Sequence, residues 1–108
     1  MKLLIWLGDS LDDLKKFPAE ARREAGYQLD RIQHGLLPSD FKPMPTIGAG
    51  VHEVRIHIEG EHRIFYVAKF SDAIYVLHAF TKKSQRTLKR DINLAAFRLR
   101  SIVHGGGK

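Results

Sequence analysis

Basic side chains bracket the apolar runs of this sequence in a pattern suited to phosphate. Arg63 opens the run Ile64–Ala68, while Lys82, Lys83 and Arg86 follow directly on Ile74–Ala79. Arg55 and His57 alternate with Val54, Ile56 and Ile58, so they project from the polar face of an otherwise apolar strand. Tyr66, Tyr75 and Phe80 are interleaved with these cations. Rings beside fixed positive charge suit a single-stranded nucleic acid, whose bases stack while its phosphates are neutralised. RNA can be cut at such a place without a metal if three groups are supplied. A base takes the proton of the 2′-hydroxyl, a cation stabilises the pentavalent phosphorane, and an acid protonates the leaving 5′-oxygen. Arg63 has the planar fork that matches phosphate oxygens. Lys82, Lys83 or His78 are candidates for acid or base, and Glu53 is a further candidate base.

Each of these residues also has an ordinary explanation. A single arginine at a strand end is commonly a solvated flank, and a Lys-Lys pair there is a common guard against edge pairing. A histidine inside an apolar strand, such as His78, is more often a satisfied core residue than a catalyst. His52, His57 and His62 lie near one turn, but none of their spacings resembles a helical zinc pair, so no metal is expected. The case for a site rests on convergence: the cations come from separate segments that one sheet would bring together.

The elements that must do this are legible in outline. Lys2–Leu7 reads as a first strand. Ser10-Leu-Asp-Asp13 has the form of a capping box, and Leu11, Leu14 and Phe17 follow at helical spacing. Pro18 ends that helix and suits the first turn of a second. In the second helix Ala21, Ala25, Leu29, Ile32 and Leu36 form the apolar stripe, with Gly35 as C-terminal cap. The two helices are expected to form an α-hairpin. From Pro38 to Gly50, three prolines and two glycines without a period read as a loop. Val51–Ile58, Arg63–Ala68 and Ala73–Phe80 then form an antiparallel meander, turning at Glu59-Gly60-Glu61 and Phe70-Ser71-Asp72. The last two strands, apolar on both faces, belong at the centre. Thr87 caps a final helix carrying Ile92, Ala95, Leu99 and Ile102 or Val103, and residues 104–108 read as a frayed tail.

The expected fold class is therefore α+β, in the order β-α-α-β-β-β-α, with a small, mainly antiparallel sheet. The helices would pack one way onto it and leave part of its other face open.

The chain of 108 residues is expected to form one domain, 1–108, and its composition, 44% hydrophobic with 28% charged, excludes a disordered polymer. No apolar run reaches the length of a membrane helix, and the opening MKLLIWLGDSLDD is a poor signal peptide. Without cysteine there is no disulfide framework and no thiolate chemistry, which fits a cytoplasmic protein with no membrane partner. The net charge of +6 is unevenly spread: all of the positive surplus lies beyond residue 40, as a patch for a polyanion would require.

Gly50-Val-His-Glu-Val-Arg-Ile, His62-Arg-Ile-Phe-Tyr-Val and Tyr75-Val-Leu-His-Ala-Phe-Thr-Lys-Lys-Ser-Gln-Arg-Thr together resemble the phage-derived HigB-like branch of the RelE/ParE toxin superfamily. The likeness extends to Trp6-Leu-Gly-Asp-Ser and to Phe17-Pro…Arg23-Glu-Ala-Gly-Tyr, and it is most specific from His78 to Thr87. It implies a RelE-like fold and the toxin of a type II toxin–antitoxin system. Such a toxin is an endoribonuclease, an mRNA interferase that cuts messenger on the ribosome without metal or cofactor. The implied partners are mRNA, the ribosome and a helix-turn-helix (XRE-type) antitoxin, with operator DNA reached only through the antitoxin complex. The resemblance matches Arg63 to the strand arginine at the scissile phosphate and Arg55 to a basic strand position that aids catalysis. It matches Lys82, Lys83 and Arg86 to the basic segment after the last strand. The last helix holds no tyrosine to stack on a base, which leaves His78 or Phe80 for that place and Tyr66 as a further RNA-binding candidate. Two other functions share the fold: a ParE-like, non-enzymatic gyrase inhibitor, and an inactive homologue serving as co-repressor.

Overall fold

A computed structural model describes residues 1–102; the expectations placed on Val103 and on the tail 104–108 lie outside the described residues. Five strands form one mixed sheet in the order β1-β5-β4-β3-β2, accompanied by three helices. The strands are β1 (Leu3–Trp6), β2 (Phe41–Pro43), β3 (Val51–Ile56), β4 (Glu61–Val67) and β5 (Ala73–Lys82), and the helices are α1 (Ser10–Lys15), α2 (Ala19–Gln33) and α3 (Lys89–Ser101). β1 runs parallel to β5; the other three pairings are antiparallel. The two strands without a polar face, β4 and β5, are central, because both of their surfaces must be covered.

Short β2 lies inside the segment whose prolines and glycines read as a loop. It pairs with β3 as an edge strand, where Pro43 costs no hydrogen bond on its outer side. The turn between β3 and β4 places Glu59 at φ 50° and Gly60 at φ 113°, the left-handed region that a tight hairpin of natural twist needs.

Cover on the two faces differs from the expectation that all helices pack one way. α1 and α2 bury Leu14, Phe17, Ala21, Ala25, Leu29 and Ile32 against Val54, Ile56, Ile64, Tyr66, Ile74 and Val76. α3 lies on the opposite face, where Ala95 and Leu99 pack with Val51, Phe65, Val67 and Leu77. The sheet is thus the middle of three layers, because β4 and β5 carry apolar side chains on both sides.

Two helix starts also differ from their sequence signals. The Ser10 side chain makes no cap. It is fully buried, and its hydroxyl donates to the Val76 carbonyl on β5 at 3.2 Å, tying α1 to the sheet. α3 begins after Leu88, with no side-chain cap from Thr87. At its other end α2 stops before Gly35 (φ 84°), which leaves Leu36 outside the helical stripe and exposed. Among the described residues no helix is long and apolar enough to cross a membrane.

One irregularity decides which β5 side chains share a face with β4. Phe65 pairs with His78 but Tyr66 pairs with Val76, so Leu77 is an extra residue, a β-bulge. Leu77 and His78 consequently both lie on the α3 side, and every later residue changes face: Phe80 and Lys82 join the α3 side, whereas an unbroken strand would have sent Thr81 there. α3 fastens the bulge through Arg98, whose Nη1 donates to the Leu77 carbonyl at 2.9 Å. That guanidinium passes against Gly8, where a Cβ would meet it at 2.5 Å; with φ at 53° as well, glycine is required there. Arg98→Met keeps most of the stem packing and leaves this part-buried carbonyl without its partner. It should lower stability by about 1–3 kcal/mol, measured as a shift in the urea midpoint at constant slope.

Candidate nucleic-acid interface

Directly opposed residues in neighbouring strands share a face, so the register shows how the α3 side changes along its length. The row Val51–Val67–Tyr75 is apolar. Glu53–Phe65–His78 and Arg55–Arg63–Phe80 come next, and Glu61 opposite Lys82 comes last. α3 covers the apolar end. The charged end is left open as a cleft of about 580 Å³, lined by Glu61, Arg63, Lys82, Lys83, Ser84 and Gln85. A neighbouring concavity of about 440 Å³ adds Lys42, Glu53, Arg55 and Arg86. Five of the cations singled out in the sequence, Arg55, Arg63, Lys82, Lys83 and Arg86, therefore line two adjoining hollows.

Arg63 is the most enclosed of them, with a side chain only 7% exposed. Its Nη1 donates to the His62 carbonyl at 3.1 Å and lies 3.0 Å from Glu61 Oε1. Its Nε has no hydrogen-bond partner and stands 3.8 Å from Glu53 Oε2. Nη2 takes part in none of these contacts. Glu53 is itself buried, and its other oxygen meets Arg55 Nε at 3.3 Å. Neither guanidinium would sit comfortably opposite the other without this carboxylate between them.

The contacts continue outward until they close on themselves. Arg55 Nη1 lies 3.9 Å from Asp40 Oδ1, and Asp40 Oδ2 accepts from His57 Nε2 at 2.6 Å. His57 Nδ1 then donates to Glu61 Oε1 at 2.7 Å and to Oε2 at 3.0 Å. Six side chains of alternating sign thus form a ring: Asp40, His57, Glu61, Arg63, Glu53 and Arg55. The hydrogen bond to Asp40 is the largest influence on His57. With Glu61 it outweighs the cost of desolvation and holds the imidazole above its ordinary pKa of 6.5. For Glu61 the largest single influence is desolvation, which works upward. Hydrogen bonds from Arg63 and His57 together overcome it and leave the carboxyl below its ordinary 4.5.

The remaining candidates are divided. Phe80 lies in the row of Arg63 and is half-buried. His78 stacks on it at 5.1 Å, and its Nε2 donates to Asp91 of α3 at 2.8 Å, so the imidazole is held between layers and its Nδ1 is buried without a partner. Tyr66 is not brought to the cleft. It lies on the face covered by α1 and α2, where its hydroxyl pairs with His52 at 3.2 Å and burial pushes its pKa up to about 12. There it lines a separate groove of about 340 Å³ with Ile32, Leu36 and Leu37. Asp40 and Glu61 are members of the site to which the sequence assigned no role, and His57, expected beside Arg55 on the polar face, joins them as a link of the ring. For His57 and Glu61 the signal was present, since each is two residues from an arginine and therefore on its face. Asp40 gave no such signal: it precedes β2, and its carbonyl is held by the Arg55 N–H at 2.9 Å. Among the described residues no group of three His, Asp or Glu side chains is arranged to hold a metal ion.

The sequence model for "Phage derived protein Gp49-like (DUF891)" matches residues 12–100, which covers all of the site. No curated protein matches the sequence significantly.

The ring has a pH signature. A histidine whose pKa rises on folding adds stability that is fully present below 6.5 and fades as pH climbs through the raised value. A carboxyl whose pKa falls on folding adds stability that is full above 4.5 and fades as pH drops through the lowered value. The ring therefore contributes most between pH 4.5 and 6.5. Thermal melts of wild type and His57→Gln should differ most inside that window and draw together as pH rises above it. A constant difference at all pH values would contradict the ring.

Proposed function

We propose that this chain, which belongs to the phage-derived Gp49-like family, a RelE-like toxin family related to the toxins of toxin–antitoxin systems, is a metal-independent endoribonuclease of the HigB type that cuts messenger RNA. The observation that supports this most is the gathering of Arg55, Arg63, Lys82, Lys83 and Arg86 on one open end of the sheet, with Phe80 in the same row. Five cations against the three carboxylates Asp40, Glu53 and Glu61 leave a surplus that a phosphodiester backbone would neutralise. A surface that only docked onto a folded protein would have no need for a guanidinium built into a β-ladder and steadied by two carboxylates.

In this reading Arg63 and Lys82 grip the scissile phosphate while Lys83 and Arg86 hold the phosphates beside it. The 2′-oxygen attacks phosphorus as its proton passes to solvent water in the open cleft, the bond from phosphorus to the 5′-oxygen breaks, and the Lys82 ammonium gives its proton to that oxygen. The products are a 2′,3′-cyclic phosphate and a 5′-hydroxyl. Fixed cations around the phosphorane stabilise the charge that develops on its equatorial oxygens. Phe80, next to Arg63, offers a ring on which a base stacks. Cutting would take place on the ribosome and stop translation. A small helix-turn-helix antitoxin would neutralise the toxin and carry it to operator DNA.

Primer extension on transcripts after brief induction tests this. Wild type should create new 5′ ends, and Lys82→Ala and Arg63→Gln should each lose roughly 10²-fold or more of that cleavage. Lys82 lies at the cleft surface, so its variant should melt with wild type and separate loss of chemistry from loss of fold. Intact transcripts with a DNA-damage response would point instead to a gyrase inhibitor. Intact transcripts with no growth defect would leave a co-repressor subunit.

A further inference from the structure

We infer that His57 is a positioning residue for Arg63: when protonated it holds the Glu61 carboxylate, and when neutral it gives that carboxylate up to the arginine that should be gripping phosphate. This rests on the nuclease reading for its ligand, a phosphodiester strand, but the device itself is read from the ring.

Glu61 Oε1 is shared, 2.7 Å from His57 Nδ1 and 3.0 Å from Arg63 Nη1. Each cation weakens the other's hold on that oxygen. His57 also takes Oε2 at 3.0 Å, so in this arrangement it has the larger share of the carboxylate. Both imidazole nitrogens face carboxylate oxygens, Nε2 towards Asp40 at 2.6 Å and Nδ1 towards Glu61. Only the doubly protonated ring can donate on both sides. A neutral ring would aim a lone pair at an anion on one side, and that contact must open. The shorter bond, to Asp40, keeps its proton, so Nδ1 is the side that lets go. Glu61 then has Arg63 at hydrogen-bond distance as its remaining partner.

The other charged groups around His57 fit this assignment. On its own strand Arg55 lies next to Asp40, and Glu53 joins Arg55 to Arg63. From β2, Lys42 stands opposite Glu53, and from β5, Lys82 stands opposite Glu61. Asp40 holds the proton on, desolvation alone works against it, and Glu61 adds to the hold, so the imidazole of this half-exposed residue stays above its ordinary pKa. Losing it moves one negative charge from the rim of the site onto its central arginine. Phosphodiester binding should therefore weaken as pH climbs through the titration of His57, through Glu61 and not merely through the loss of one positive charge nearby.

Those two causes are separable. The probe is an all-2′-O-methyl single strand, which cannot be cut and whose phosphodiesters keep their charge over the range. It carries a pH-insensitive dye, and its dissociation constant is measured by anisotropy between about pH 5.5 and about pH 8.5. Wild type should lose roughly fivefold in affinity across that range, the scale of one exposed charge pair. His57→Gln should bind weakly with no such slope, and Glu61→Gln should bind tightly, also without slope. A slope that persists in Glu61→Gln would overturn the assignment to His57 acting through Glu61 while leaving the nucleic-acid reading intact. No binding at any pH by wild type and Glu61→Gln alike would overturn that reading and this inference with it.

Discussion

Arg55 and Arg63 stand directly opposite one another in an antiparallel pair, where two guanidinium groups repel. The buried carboxylate of Glu53, between Arg55 Nε and Arg63 Nε, is what lets the sheet carry them. The interaction runs both ways. Desolvating a carboxylate at this depth costs several kcal/mol unless cations and hydrogen bonds compensate it, and the two arginines supply that compensation. Glu53 thus makes the paired charges tolerable, and they in turn make Glu53 tolerable. The outer members, Asp40, His57 and Glu61, extend the same balance to the solvent edge, where contacts are weaker and can exchange.

That charge would have no consequence if α3 lay over it. The helix docks on the apolar end of the face through Ala95 and Leu99 and reaches the row of Glu53 only at its far side, through the bond from His78 to Asp91. The bulge at Leu77 completes the site by bringing Phe80 and Lys82 round to the rows of Arg63 and Glu61. A regular β5 would have set Ala79 opposite Arg63 and Thr81 opposite Glu61. Arg98 and Gly8, remote from the cleft, therefore matter to it, because they hold the bulge from which the reorientation starts.

Much of this was written in residue spacing. The alternation Val54, Ile56, Ile58 against Glu53, Arg55, His57 gives the face of Arg55, and the apolar character of β4 and β5 gives their central places. Several features escaped for physical reasons. A bulge leaves no mark in a run such as Ile74–Ala79 that is apolar at almost every position, since no alternation is present to be interrupted. Tyr66 is a separate case: it is interleaved with the cations in sequence, but standing three residues from Arg63 in β4 it falls on the opposite face. The sidedness of α3 was hidden by the same circumstance: a strand apolar on both faces requires two covers but does not say which helix provides each. The hydroxyl of Ser10 has two possible partners, the start of its own helix and a strand carbonyl, and only tertiary packing decides between them. Asp40, held just ahead of β2 by the Arg55 N–H inside a proline-rich segment, had no local pattern at all.

The central claim is that an RNA backbone lies across the charged end of the α3 face. Chemical-shift mapping by NMR with an uncleavable single-stranded RNA tests it most directly. The account predicts that perturbations centre on Arg55, Arg63, Phe80, Lys82, Lys83 and Arg86 and weaken with added salt. Perturbations centred instead on the groove of Ile32, Leu36, Leu37 and Tyr66 would contradict it, as would a spectrum that RNA leaves unchanged.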